Sequence, residues 1–140
     1  MKVFSSVISF ESKKENNLID ISIEVERELR ESKIQEGIIF LFASGSTCAL
    51  TTIEFEPGLQ KDFPEFLDKI IPAGKYHHGL KWHDGNGHSH VRASLIKPDL
   101  FIPFSKGQLQ TGQWQQIVFI ELDNKPRKRR VEIKIIGELV

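Results

Sequence analysis

The sequence predicts an α+β domain with mostly antiparallel strands and helices packed on one side. Three observations carry that expectation. Apolar runs of strand length recur from one end of the chain to the other. Only two stretches carry the i, i+3, i+4 spacing of a helix. Those two do not alternate regularly with the strands, as they would in a parallel βαβ array.

The elements follow in order. Val3, Phe4, Val7, Ile8 and Phe10 lack a helical period and predict an extended segment. Glu11–Asn17 is a polar turn. Leu18, Ile19, Ile21 and Ile23 start a second strand. The period then changes: Ser22 is a candidate N-cap, Glu24 and Glu26 favour a first turn, and Val25 and Leu29 lie four apart, so a short helix runs toward Gly37. Gly37–Ala43 is apolar throughout, the pattern of a strand covered on both faces. Cys48–Phe55 is a β-branched strand ended by Pro57-Gly58. Phe63, Phe66, Leu67, Ile70 and Ile71 give the best helical stripe, with Asp62 as cap and Pro64 in the first turn. Residues 72–90 read as a long loop, and 91–96 are ambiguous. Strands return at Leu100–Phe104, Gln108–Gln110 and Trp114–Leu122. Asp123–Pro126 is a turn, and Arg130–Ile136 alternates with Val131, Ile133 and Ile135 on one face. Ile117–Ile120 is apolar on both faces, which suits a core on one side and a second sheet or a neighbouring subunit on the other.

Composition bounds the function. A chain of 140 residues makes one domain, 1–140. With 39% hydrophobic and 27% charged residues it is globular and not disordered. Lys+Arg and Asp+Glu both count 19, so the basic excess of a nucleic-acid coat is missing. The run Lys125–Arg130 then reads as a solvated hairpin. Cys48 is the single cysteine, so no disulfide forms within the chain. No apolar run reaches the roughly 20 residues of a membrane span, and Met1–Ser5 lacks a signal-peptide core. The expectation is a cytoplasmic protein with no membrane partner and no nucleic acid.

All five histidines, His77, His78, His83, His88 and His90, fall within one stretch beside Asp84, Asn86 and three glycines. Imidazole ligates divalent metals and moves protons near neutral pH. On an extended segment His88 and His90 would project to the same side. Gly45-Ser46-Thr47 joins two strands, and its hydroxyls and free N–H groups can cradle phosphate or make an ordinary turn. Glu54 is a candidate general base, metal ligand or solvent-facing carboxylate. Trp114 is a candidate core residue, interface anchor or stacking platform, and Gln115 follows it.

Taken together these stretches resemble the YjbQ family, also described as secondary thiamine-phosphate synthases. Asp20-Ile21-Ser22, Thr47–Glu54, Tyr76-His77-His78, Asp84–His90, Gly112-Gln113-Trp114-Gln115, Pro126–Val131 and Gly137-Glu138 carry the likeness over nearly the whole chain. The resemblance implies an α+β fold of two packed sheets and two helices. It implies a homotrimer about a threefold axis, with a site near a subunit boundary. It also implies a transferase that joins a pyrimidine pyrophosphate to a thiazole phosphate. Under it Glu54, His78 and His90 are catalytic candidates. Ser46, Thr47, Asn86, Trp114, Gln115 and Arg130 are candidates for binding a small phosphorylated substrate. His78, His88 and His90 are candidate metal ligands, for Mg²⁺ in synthase chemistry or for Zn²⁺ or another transition metal. The family commonly has a histidine where this chain has Gly45, and His88 is the expected replacement for that imidazole. A metal-dependent hydrolase of a small phosphorylated molecule and a non-catalytic trimeric ligand-binding protein are the alternatives.

Overall fold

The computed structural model describes residues 1–139 and consists of eight strands and four helices. The strands are β1 (Lys2–Glu11), β2 (Asn17–Asp20), β3 (Glu36–Ala43), β4 (Cys48–Ile53), β5 (Asp99–Ser105), β6 (Gln108–Leu109), β7 (Gln116–Glu121) and β8 (Lys128–Glu138). The helices are α1 (Ser22–Ser32), α2 (Pro57–Ile70), α3 (Gly79–Trp82) and α4 (Gly87–Ile96). All pairings are antiparallel, in a large sheet of order β1-β8-β3-β5-β6 and a small sheet of order β2-β7-β4. The α+β class and the two sheets agree with expectation. The helix count does not, because α3 and α4 lie where a loop was expected.

Two cores make three layers. Between the sheets, Ile39, Leu41, Ile102, Val131, Ile133 and Ile135 of the large sheet meet Ile117, Phe119 and Leu50 of the small one, with Val25 and Leu29 of α1. On the other side of the small sheet, Ala49, Val118, Ile120 and Leu122 meet Leu67 of α2 and Ala93 of α4. The doubly apolar β7 is thus explained within the chain: one face meets the second sheet and the other meets the chain's own helices.

The large sheet leaves its outer face bare instead. Register places Val3, Ile136, Ile38 and Pro103 in one row across four strands. All four are exposed. Phe40 and Phe101 stack in the next row but one, with ring centroids 4.7 Å apart. Gly37 and Gly137 face each other where β3 crosses β8. A Cβ on Gly137 would lie 1.9 Å from the carbonyl oxygen of Glu36, so this close strand approach requires glycine.

Helix boundaries have local causes. Asp20 accepts the Ser22 N–H at 2.9 Å at the start of α1, and Lys33 ends that helix in the left-handed region. The start of α2 is capped by Glu56, whose carboxylate accepts from the N–H groups of Gly58 and Leu59, with Pro57 at the first helical position. The helix therefore begins five residues before the expected Asp62 cap, and Pro64 lies inside it.

The largest departure is α4. It buries Gly87, His88, Ser89, Arg92 and Ala93. Those are small or polar residues, so no apolar stripe marks the helix. Gly87 lies against the Tyr76 ring, where a Cβ would come within 2.5 Å of Tyr76 Cβ.

Candidate functional site

The small sheet has two chemically different ends. Register pairs Cys48 with Glu121 at one end of β4–β7 and Ile53 with Gln116 at the other. Thr47 and Asp123 flank the first end. Glu54, Trp114 and Gln115 flank the second. Thr47 and Glu54 are seven residues apart along nearly continuous strand, roughly 23 Å at about 3.3 Å per residue. One chain therefore does not bring all the expected site residues together.

The first end is built on a buried charge network. Arg129 donates from Nε to Glu121 at 2.7 Å and from Nη2 to Glu121, the Thr47 hydroxyl and the Thr47 carbonyl. Ser12 donates to Glu121 at 2.5 Å. Asp123 accepts from Thr47 Oγ1 at 3.0 Å and Arg127 Nε at 2.9 Å. Burial pushes the Asp123 carboxyl up. Hydrogen bonds from the Asn124 N–H, Asn86, Thr47 and Arg127 outweigh it and hold the group below its ordinary value. The Cys48 thiol, buried and flanked by Glu121 and Asp123, is pushed up to about 11 despite the opposing effect of Arg129. It is therefore a neutral thiol in this wall.

Asn86, buried at the head of α4, stands between two carboxylates. Its amide nitrogen reaches Asp123 at 3.3 Å in one orientation and Asp84 at 2.8 and 3.2 Å in the other. Beside it, His78 and His90 pack with ring centroids 4.5 Å apart. His78 Nδ1 is 3.4 Å from Asp84. Burial lowers the His90 pKa, and His78 lowers it further. Asp123 and Asp84 oppose that without cancelling it, so His90 is neutral at pH 7.

The loop Ser44–Thr47 closes this end. The N–H groups of Gly45, Ser46 and Thr47 donate to no backbone acceptor among the described residues. A cavity of about 210 Å³ opens there, lined by Gly45, Ser46, Cys48, His90, Ala93, Ser94 and Pro98. A larger cavity, about 630 Å³, lies elsewhere between α1 and the β5–β6 hairpin and has no imidazole in its wall.

His78, His90, Asn86, Ser46 and Thr47 thus gather at one end. His88 does not join them. It lies two residues before His90 on α4, so it points away by about 200° of helical phase. It is 2% exposed and bonds the Glu15 carboxylate. The expectation that His88 and His90 share a side fails because the segment is helical. Among the described residues no three His, Cys, Asp or Glu side chains gather to hold a metal. Two imidazoles and Asp84 do not complete such a site within one chain.

Glu54 and Trp114 both line a cavity of about 320 Å³ at the opposite end. Gln115 holds that loop by accepting the Gly112 N–H at 2.8 Å and donating to Thr52, leaving Trp114 65% exposed. Arg130 is exposed and bonds Glu132 of its own strand at 2.8 Å. The inward cation is its neighbour Arg129, so the basic run is not a solvated hairpin throughout. Arg129, Glu121 and Asp123 were not expected. Strand alternation could have found two of them, since Arg129 shares the inward parity of Val131 and Glu121 that of Ile117 and Phe119.

Residues 6–138 match the family described as UPF0047 protein YjbQ-like. The chain belongs to that family. A UPF0047 protein of Archaeoglobus fulgidus is 35% identical over 92% of this chain and 98% of its own length. The UPF0047 protein YugU of Bacillus subtilis is 31% identical, covering 93% and 97%. A YbjQ-like protein of unknown function from Sulfolobus solfataricus superposes with a TM-score of 0.91 at 32% identity, covering 98% of this chain and 99% of that one. These family relationships agree with the α+β architecture and its two sheets. Among the described residues no helix is long and apolar enough to cross a membrane.

Proposed function

We propose that the chain acts on a small phosphorylated molecule held at the His78–His90 end of the small sheet. One observation carries this reading. The packed imidazoles border a loop whose three successive N–H groups, at Gly45, Ser46 and Thr47, lack backbone acceptors. Consecutive amides of that kind favour phosphoryl oxygens.

The specific reaction is thiamine-phosphate synthesis, which the family resemblance implies. The pyrimidine methyl carbon loses pyrophosphate, which leaves with the C–O bonding pair. The thiazole nitrogen supplies its lone pair to the new C–N bond. The work of this chain is then to bind and orient the anions and to donate hydrogen bonds to the leaving oxygens. Neutral His90 offers one ring N–H to that oxygen and one acceptor nitrogen.

The aromatic end with Glu54, Trp114 and Gln115 joins the histidines only if a second copy supplies it. The homotrimer provides that copy in this reading. The bare row Val3, Ile136, Ile38 and Pro103 supports self-association, since a contiguous exposed apolar face marks an interaction surface.

The test is thiamine phosphate formation from the two purified precursors with Mg²⁺, beside His90→Ala prepared identically. Activity in the parent and its loss in the variant establish the reading. Equal or absent activity in both rejects the synthase. Phosphate-ester hydrolysis and ligand binding without turnover are then the remaining readings, and release of inorganic phosphate separates them.

A further inference from the structure

Arg92 on α4 is a charged side chain with no exposure to solvent. Its guanidinium reaches two other segments. Nε donates to the Ile71 carbonyl at 2.9 Å, where α2 ends. Nη2 donates to Asp68 at 3.0 Å, three residues earlier on the same helix. Nη1 donates to Asn16 at 3.4 Å, in the turn between β1 and β2, and stands 3.8 Å from Glu15. A guanidinium suits this place. Its fixed fork of donors serves several acceptors at once, and its charge is favoured at the C-terminal end of a helix.

Ile71 is also where residues 72–86 begin. That segment carries His78 and rejoins α4 at Gly87, and it is fastened near both ends. Arg92 holds the Ile71 carbonyl, and the Tyr76 hydroxyl donates to the Pro72 carbonyl at 2.5 Å. The Tyr76 ring lies against Gly87 at the far end. Between these ties the His78 ring packs on His90, 4.5 Å away by centroids. The charged group beside His78 is Asp84, which belongs to the same segment. Where His78 sits relative to His90 therefore depends on how the segment is fastened to α4.

We propose that Arg92 is a positioning residue of this site: by holding the end of α2 to the back of α4, it sets His78 against His90. The inference rests on the phosphorylated-ligand reading above and names what aligns its two imidazoles. Arg92 touches no ligand itself. His90 lies two residues before it, about 200° away round the helix, and lines the cavity that Arg92 does not. One face of α4 thus carries the site and another carries the anchor. Glu15 serves that anchor twice, since its carboxylate bonds His88 and stands beside Arg92.

The test compares the parent with Arg92→Met, which is unbranched but has no donor, and with Ile133→Ala. Ile133 is buried in the core between the sheets, so the second variant lowers stability without touching α4. Two quantities are read by NMR: the nuclear Overhauser contact between the His78 and His90 rings, and the affinity for inorganic phosphate from the signals of Gly45–Thr47 and His90. The parent is expected to show the ring contact and to respond to phosphate. Arg92→Met should lose the contact and raise the dissociation constant about threefold to tenfold, the loss of one neutral hydrogen bond from a displaced imidazole. Ile133→Ala should keep both. An unchanged ring contact in Arg92→Met overturns the proposal, and so does a lost contact with unchanged affinity. Equal losses in Ile133→Ala overturn it too, because the effect is then one of general stability. Should Arg92→Met not fold, Asp68→Ala decides on the same two readouts, since Asp68 is 63% exposed and its removal frees one end of the guanidinium. If phosphate leaves residues 44–48 and His90 untouched in the parent, the ligand reading fails, and the ring contact alone decides whether Arg92 aligns the pair.

Discussion

Arg129 on β8 and Glu121 on β7 form a two-pronged ion pair between strands that belong to different sheets, with Nε and Nη2 at 2.7 and 2.5 Å from the two carboxylate oxygens. Neither side chain meets solvent appreciably. The pair ties the large sheet to the small one at the end that carries the histidines. It also sets Thr47, which accepts from the same guanidinium.

Removing one partner leaves the other charged and buried. Glu121→Ala should cost about 3–5 kcal/mol of unfolding free energy, the range for breaking a buried pair. Replacing both with apolar residues, Glu121→Leu with Arg129→Met, should recover a good part of that loss. Urea unfolding of the two variants checks it. A double variant no more stable than Glu121→Ala would show that Thr47 and Ser12, and not the unpaired charge, dominate the cost.

The pH dependence follows from His90 and Asp123. His90 has a folded pKa below its ordinary value of 6.5. The unfolded chain therefore binds the proton more readily, and stability falls as pH drops below about 6.5 toward the folded value. Asp123 is lowered from 3.8 and adds a second loss as pH falls through its folded value. The two act in the same direction. In His78→Ala the His90 pKa should rise, yet stay below ordinary because burial is the larger cause. NMR titration of the His90 ring checks this, and an unchanged value would remove His78 as a cause.

The β-rich frame was legible because alternation and apolar runs report directly on which face of a strand is buried. The α4 helix was not, because its buried face consists of Gly87, His88, Ser89, Arg92 and Ala93, and a hydrophobic period cannot register a face that is not hydrophobic. That one miss moved His88 to the wrong side of the site. The core pairing of Arg129 with Glu121 was hidden differently. Each residue alone reads as a strand-end charge, and only the stacking of two sheets brings them together. Glu54 and Trp114 were each legible as site candidates, but no local pattern reports that they share a cavity or that the chain holds them a strand length from the histidines.

His88 and His90 should therefore separate on mutation. His88 sits between Glu15 and the Tyr76 ring, 6.2 Å from the latter by centroids, inside the contact that seats α4. His88→Ala should lower the melting temperature by several degrees and leave phosphate affinity as it is. His90→Ala should do the reverse. Calorimetry and phosphate titration on the two variants measure both quantities. Equal loss of phosphate binding would return His88 to the site.

The outer face of the large sheet supplies the last test. Ile38 is 50% exposed and Phe101 67% exposed. Ile38 belongs to an apolar row four strands wide, and Phe101 stacks on Phe40. A charge placed there costs the monomer little, since both side chains already face water. Across a subunit contact it would be left without a partner. If the proposed trimer forms through this face, Ile38→Asp with Phe101→Asp should keep the monomer folded and reduce the mass in light scattering from the three chains expected of the parent to one. If the site draws Trp114 from a neighbour, the same variant should lose synthase activity while its Gly45–Thr47 amides still respond to phosphate. A variant that remains trimeric would place the contact on another face. A monomeric variant with full activity would show that one chain suffices, and that Trp114 and Glu54 stand apart from the reaction.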